Sequence, residues 1–311
     1  MKKSIELPIK TAPGKVNWIV NEYGMDDAIK DDVERLLNTT IKDVRPVSGG
    51  DISMAFLLET GTQHLFCKLN PADNAHNMFM AEKKGLEAIV KTKSIAAPKV
   101  VLCEVIEKNA ILILEYIEPK MASSKEMRRF GKQLAAMHTK AFGDNFGWEH
   151  DNFIGNLPQS NINYTDWSEF YVAERLLPQL KLAKNGGRLR SNEIPSEDQM
   201  LKTCRNLFPE VKPSLLHGDL WSGNYLISQN GTPYLIDPAT YYGHHEVDIA
   251  MTRLFGGFGQ SFYDGYYADG SKVGGEAERN DIYQLYYLLV HLNLFGASYK
   301  APVTDILNRY F

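Results

Sequence analysis

Apolar residues recur at two different periods along this chain, and the change from one to the other is the first sign of its organisation. Over residues 26–37 they fall at Ala28, Ile29, Val33, Leu36 and Leu37, one face of a helix with acidic residues in its first turn. Residues 44–47 read as a short strand. Two strand-like runs follow, 54–59 and 64–69, separated by Thr60-Gly61-Thr62, so a hairpin is expected. Residues 77–91 return to the helical period through Met78, Met80, Ala81, Leu86, Ile89 and Val90, with Gly85 a weak point. Residues 98–103 and 110–116 are two further strands. Beyond Lys125 the spacing is mostly helical, over 127–138, 167–182, 197–207 and 281–295. Residues 1–25 carry no clear period and read as an extended lead-in. No internal repeat interrupts the series.

The pattern predicts an α+β chain with two lobes, β-rich over 1–117 and mainly helical over 118–311, joined at Glu118-Pro119. A length of 311 residues suits one bilobal unit. A composition 44% apolar and 23% charged is that of a chain able to bury a core. The net charge of −4 offers no basis for binding nucleic acid or an anionic membrane. Cys67, Cys103 and Cys204 are few, odd in number and far apart, which argues against a disulfide framework or a structural zinc site. The start, MKKSIELPIK, lacks the apolar core of a signal peptide, and the apolar run 110–114 is too short to span a bilayer. A cytoplasmic location is the expectation.

The chemistry concentrates in Leu215-Leu216-His217-Gly218-Asp219-Leu220-Trp221-Ser222-Gly223-Asn224, which has the spacing H-x-D-x-x-x-x-N. Phosphoryl transfer in kinases needs an aspartate near the acceptor hydroxyl and, five positions on, an asparagine that helps hold magnesium. Three residues at this spacing can also make a polar turn, but the context argues otherwise. Tyr225-Leu226-Ile227, the turn Gln229-Asn230-Gly231 and Tyr234-Leu235-Ile236 form a second hairpin, which delivers Asp237 to a strand end. A second metal-binding aspartate belongs there. Asp219 is therefore the candidate base, and Asn224 and Asp237 the candidate magnesium ligands. The triplet Asp237-Pro238-Ala239 departs from the Asp-Phe-Gly of protein kinases and points to small-molecule kinases.

The nucleotide half is written less distinctly. Ser48-Gly49-Gly50-Asp51 would let backbone N–H groups approach phosphates, although it matches neither a Walker A motif nor the full G-x-G-x-x-G. Lys68, at the end of a strand, and Glu82, on the following helix, are the expected phosphate-orienting pair, with Glu87 the competing partner. Glu115-Tyr116-Ile117 at the lobe junction could offer backbone groups to an adenine edge. His244-His245-Glu246 invites a metal reading. The structural one is preferred, with Asp248 opening a helix and bracing the catalytic loop.

Together with Gly49-Gly50-Asp51-Ile52-Ser53, Phe66-Cys67-Lys68, Asp151-Asn152-Phe153-Ile154-Gly155-Asn156, Glu174-Arg175 and His291-Leu292-Asn293-Leu294-Phe295-Gly296, the catalytic segment resembles the fructosamine-3-kinase (ketosamine-3-kinase) family, relatives of the aminoglycoside phosphotransferases. The resemblance covers most of the chain, from about residue 41 to residue 301. It implies a protein-kinase-like fold and the cofactors ATP and Mg2+. It also implies phosphorylation of the 3-hydroxyl of a ketosamine, free or as a glycated lysine on a protein, in the service of deglycation. By the same resemblance Trp221 and His291 line the sugar site, with Asn293 close behind; the alternative is that Trp221 packs in the core and His291 is an interior histidine. Some members carry a redox-controlling cysteine in the phosphate loop, where this chain has Asp51. Two other readings stay open: a kinase for another small hydroxylated amine, such as an aminoglycoside or choline, and a catalytically silent binding module. The intact set Lys68, Asp219, Asn224 and Asp237 argues against silence.

Overall fold

The computed structural model describes residues 25–47, 53–270 and 274–311; Gly49 and Gly50, expected to approach the phosphates, lie outside them. Helix α1 (Asp27–Leu37) starts where the Asp26 carboxylate accepts from the Ala28 N–H and ends on Asn38 in the left-handed conformation. Strands β1 (Ile41–Pro46), β2 (Met54–Thr60), β3 (His64–Asn70), β4 (Val100–Ile106) and β5 (Asn109–Glu115) form one antiparallel sheet in the order β1-β2-β3-β5-β4. Helix α2 (Ala75–Lys91) connects β3 to β4. The strand expected over 98–103 starts later and runs on to Ile106, because it pairs back onto β5 as far as Asn109.

Strand alternation assigns each side chain to a face. Leu65, Cys67 and Leu69 pack with Ile111 and Ile113 against Ile29 and Val33 of α1. Leu112 and Leu114 turn the other way, toward Phe79, Leu86 and Ile89 of α2. The unbroken apolar run 110–114 thus reflects a strand buried on both faces. Lys68, between Cys67 and Leu69, falls on the α2 side of β3, which brings its ammonium to Glu82 of α2.

The chain leaves the sheet at Glu115 and enters α3 (Ser124–Lys140), whose start is closed by a reciprocal capping box between Ser123 and Glu126. The apolar cluster under α2 continues without a break through Phe130 and Leu134 of α3 to Leu220, Leu235 and Ile249. The sheet is therefore packed directly onto the region that carries the catalytic segment. After the short pair β6 (Asn152–Ile154) and β7 (Leu157–Gln159), the helix expected over 167–182 runs to Asn185 as α4 (Trp167–Phe170), a π-helical turn (Tyr171–Leu176) and α5 (Leu177–Asn185). The Leu177 N–H reaches back five residues to the Val172 carbonyl. Pro178, which has no N–H and crowds the preceding turn, follows immediately, so the bonding slips there.

Helix α6 (Glu197–Leu207) precedes two small antiparallel pairs. In these, β8 (Ser214–Leu216) pairs with β11 (Tyr241–Gly243), and β9 (Tyr225–Ile227) with β10 (Pro233–Leu235). Helices α7 (Glu246–Leu254), α8 (Gln260–Tyr266), α9 (Glu276–Phe295) and α10 (Lys300–Tyr310) complete the chain. An aromatic-rich core forms between α4–α5, α6, α9 and α10, with Trp167, Phe170, Tyr171, Tyr283 and Tyr286 buried within it. Among the described residues no helix is long and apolar enough to cross a membrane.

Candidate active site

Strand β8 ends at Leu216 and hands the chain to His217-Gly218-Asp219. This turn is held from three sides. The buried carboxylate of Asp248, in the first turn of α7, accepts from the His217 N–H at 2.7 Å and from the Gly218 N–H at 2.9 Å. The Gly218 carbonyl accepts from the Tyr287 hydroxyl of α9 at 2.8 Å. Gly218 itself has φ 85°, and a Cβ there would collide with the Ala239 carbonyl, so both conformation and space require glycine. His217 Nε2 lies 2.8 Å from the Ile236 carbonyl and therefore donates, while Nδ1 accepts from the Asp219 N–H at 3.2 Å. One donor and one acceptor define a neutral imidazole, in keeping with burial, which lowers its pKa.

Asp219 and Asn224 meet across the loop, five positions apart as the motif requires. The Asn224 amide donates to the Asp219 carbonyl at 2.8 Å and to Asp219 Oδ2 at 3.1 Å. That use of the NH2 group leaves Oδ1 as the amide's remaining acceptor. Burial, reinforced by the charge of Asp237, pushes the Asp219 carboxyl up to about 7 against the opposing pull of the Asn224 bond.

The β9–β10 hairpin brings Asp237 to the same place. Asp237 is exposed and has φ 53°, a left-handed conformation that an aspartate tolerates better than most residues. Its Oδ1 accepts from Lys68 Nζ at 2.6 Å, and the same ammonium donates to both oxygens of Glu82, at 2.8 and 2.9 Å. Burial alone would lower the Lys68 pKa, but Asp237 and Glu82 outweigh it and raise the pKa. Burial pushes Glu82 up to about 7, opposed by Lys68. Glu87 instead pairs with Lys83 on the outer face of α2.

Gly85, which weakened the helical pattern of α2, has its reason here. A Cβ on it would stand 2.8 Å from Thr240 Oγ1 and 3.0 Å from Pro238 Cγ, so the glycine lets α2 lie directly on the segment leaving Asp237. Neither that contact nor the reach of Tyr287 to Gly218 has a local signature. His138 has none either; its Nε2 completes the shell of Asp248 at 3.1 Å.

The remaining expected residues are placed less uniformly. Glu115 closes β5, with its N–H on the Lys99 carbonyl, and Tyr116 and Ile117 line a shallow depression with Ser228, Gln229 and Asn230. Trp221 is 39% exposed and lies over Gly223, which rules out a core position for its indole. His291 is half-buried on α9. Asn293 was expected beside it toward the sugar; the structure instead buries it and has its NH2 group donate to the Gln179 carbonyl and Oε1, both at 2.9 Å. Two positions along a helix turn a side chain by more than half a revolution, and that rotation carries Asn293 to the α5 side. In the run His244-His245-Glu246 the imidazole of His244 is hydrogen-bonded to the Tyr283 hydroxyl, and both oxygens of Glu246 accept from Arg279. These bonds tie α7 to α9.

A profile of the fructosamine kinase family matches residues 25–311. A probable ketoamine kinase from Synechocystis sp. is 39% identical over 271 residues, 86% of this chain and 90% of its own. The crystal structure of a protein from Haemophilus somnus assigned as a fructosamine-3-kinase superposes with a TM-score of 0.81 at 28% identity, over 94% of this chain and 100% of that one. A thermostable variant of the aminoglycoside phosphotransferase APH(4)-Ia, in ternary complex with ADP and hygromycin B, superposes with a TM-score of 0.61 at 16% identity, over 91% of this chain and 98% of that one, a likeness of fold.

Proposed function

The chain belongs to the fructosamine kinase family, and on that footing we propose that it transfers the γ-phosphoryl group of ATP to the 3-hydroxyl of a ketosamine, free or carried on a glycated lysine. The observation that carries this reading is the separation of two aspartates by environment. Asp219 is partly buried, and that burial with the charge of Asp237 pushes its carboxyl up to about 7, whereas Asp237 is exposed and paired with a lysine. One suits proton transfer near neutrality and the other suits a cation.

In the proposed reaction the substrate 3-oxygen forms a bond to the γ-phosphorus as the bond from that phosphorus to the ADP oxygen breaks. The hydroxyl proton passes to Asp219. The Asn224 amide, by donating to Asp219, orients the carboxylate for this transfer. Lys68, held by Glu82, offers its ammonium to nucleotide phosphates, and the backbone N–H groups of Gly49 and Gly50 would add to that binding. Glu115, Tyr116 and Ile117 would border the adenine. Oxygen donors of Asp237 and Asn224 fit magnesium, a hard cation that takes carboxylate and amide oxygens. Bound there, magnesium would neutralise charge on the phosphates. The exposed indole of Trp221, two residues beyond the base, can cover the C–H face of the sugar. Residues 1–117 would then be the nucleotide lobe and 118–311 the catalytic and substrate lobe.

A phosphate on the 3-oxygen is a better leaving group than hydroxide and makes the adduct labile, which is the basis for a role in deglycation. The deciding experiment incubates the chain with Mg-ATP and Nε-fructosyl-lysine, and follows ADP together with the phosphorus NMR signal of the product. A 3-phosphate is expected. Turnover of an aminoglycoside or choline without turnover of any ketosamine overturns the reading.

A further inference from the structure

Helix α9 carries a second feature one turn beyond the tyrosine that holds Gly218. His291 and Phe295 share a face of the helix, with ring centroids 5.3 Å apart. Gly296, at φ 93°, turns the chain so that Tyr299 stands 5.1 Å from His291. Phe255, just after α7, closes the other side at 4.8 Å. Phe295 is 51% exposed, so three carbocyclic rings form an open basket around the imidazole. Gly256 and Gly257, at φ 90° and 73°, follow Phe255. Around Gly256 there is open space where a side chain would stand, and the atom nearest that position on Gly257 is 3.7 Å away.

The chemistry of the basket is that of an electron-rich site. His291 Nδ1 lies 2.8 Å from the Tyr287 carbonyl oxygen, which can only accept, so Nδ1 carries the hydrogen. Burial favours the neutral ring, which leaves Nε2 a lone-pair acceptor. Ring faces and a lone pair together suit a cation bearing N–H groups. The basket is also tied to the reaction centre. Tyr287, whose hydroxyl bonds the Gly218 carbonyl beside Asp219, precedes His291 by four residues, about 6 Å of helix.

Resting on the ketosamine reading, we infer that Phe255, His291, Phe295 and Tyr299 form the seat for the ammonium-bearing arm of the substrate: the secondary amine and first methylenes of a glycated lysine. With the 3-hydroxyl at Asp219 and the sugar under Trp221, the nitrogen lies two carbons from the reacting carbon. His291 is joined to that centre through Tyr287, whose carbonyl accepts from the imidazole and whose hydroxyl bonds Gly218. A secondary amine is protonated at neutral pH and offers two N–H donors, one of which His291 Nε2 accepts while the rings face the charge.

The test compares kcat/KM for Nε-fructosyl-lysine with that for fructose, which has the acceptor hydroxyl but no amine, in the full chain and its variants. Phe295→Ala and Tyr299→Ala should each lower the ratio of the two about two- to fivefold, the size of a contact between a ring and a partly exposed cation. Phe295→Leu keeps an apolar side chain of similar bulk and should lower the ratio as well, because it removes the π-face. An equal loss on both substrates, or an unchanged ratio, overturns the seat while leaving the proposed function standing. Wild-type protein that neither binds Nε-fructosyl-lysine by calorimetry nor phosphorylates it overturns both.

Discussion

Lys68 and Asp237 lie 169 positions apart in the chain and meet at 2.6 Å. The ammonium that joins them is held at its other side by Glu82. This contact ties the sheet, α2 and the β9–β10 hairpin together at one charge, and it occupies one oxygen of the proposed magnesium ligand. Phosphate groups arriving with a nucleotide would compete for Lys68 and free that oxygen.

Removing Lys68 leaves Glu82 largely buried without its counter-charge, so Lys68→Met should cost both activity and stability. Glu82→Gln keeps the shape and removes the charge. If the two residues act as one unit, the double variant should be little worse than Lys68→Met alone, with a coupling free energy of about 0.5–3 kcal/mol from the ratios of kcat/KM. Additive losses in that double-mutant cycle would separate them.

Asp219→Asn should reduce kcat by about 10²–10⁴-fold while the protein still binds ATP. The reactive form of Asp219 is the carboxylate, so wild-type kcat/KM should fall about tenfold per pH unit below about 7. The limb in kcat/KM reports Asp219 in the free protein, and the limb in kcat reports the same carboxyl with nucleotide and sugar bound. Stability moves the opposite way. A carboxyl whose folded pKa is raised binds a proton more tightly folded than unfolded, so its contribution is lost as pH climbs from the unfolded value toward 7. Thermal melts at pH 8 should therefore show Asp219→Asn at or above the wild-type Tm.

Asp248→Ala should be among the most damaging changes outside the reacting groups. It strands the His217 and Gly218 N–H groups and His138 Nε2 in a buried space. The expected loss is about 3–5 kcal/mol, read as a Tm lower by about 10 °C. kcat should fall with it, since the turn carrying Asp219 loses its clamp.

Gly85→Ala sets two effects against each other. Helix propensity favours alanine by about 1 kcal/mol. The new methyl meets Thr240 Oγ1 and Pro238 Cγ, and overpacking of that kind costs about 1–3 kcal/mol. The second effect should win, giving a Tm lower by a few degrees and a higher magnesium requirement, because Pro238 follows Asp237 directly. A Tm above wild type would show that α2 can lift away.

Elements were legible where their signals are local. The strand-like runs 54–59 and 64–69, the turn at Thr60-Gly61-Thr62 and the periodic helices appear within a few residues of the expected bounds, since neighbours in sequence decide them. The spacing of Asp219 and Asn224 is likewise a property of one loop, and it is satisfied by a hydrogen bond within that loop. The π-turn before Pro178 was missed, although the proline was in plain view, because periodicity counts side-chain faces and not which carbonyl an N–H reaches.

What the sequence alone determined is the set of chemical groups and their local frames: a base and an amide five positions apart, a hairpin ending in an aspartate, a lysine on a strand and a glutamate on the helix after it. Only the tertiary structure decided their mutual use. It joined Lys68 to Asp237, set α2 against Pro238 through the missing side chain of Gly85, and raised Asp219 to about 7 by burial beside a second carboxylate. It also turned Asn293 onto Gln179 instead of the sugar side. These outcomes depend on distances across the chain and on how much water each group keeps, and neither quantity exists until the sheet, the helices and the loops have packed.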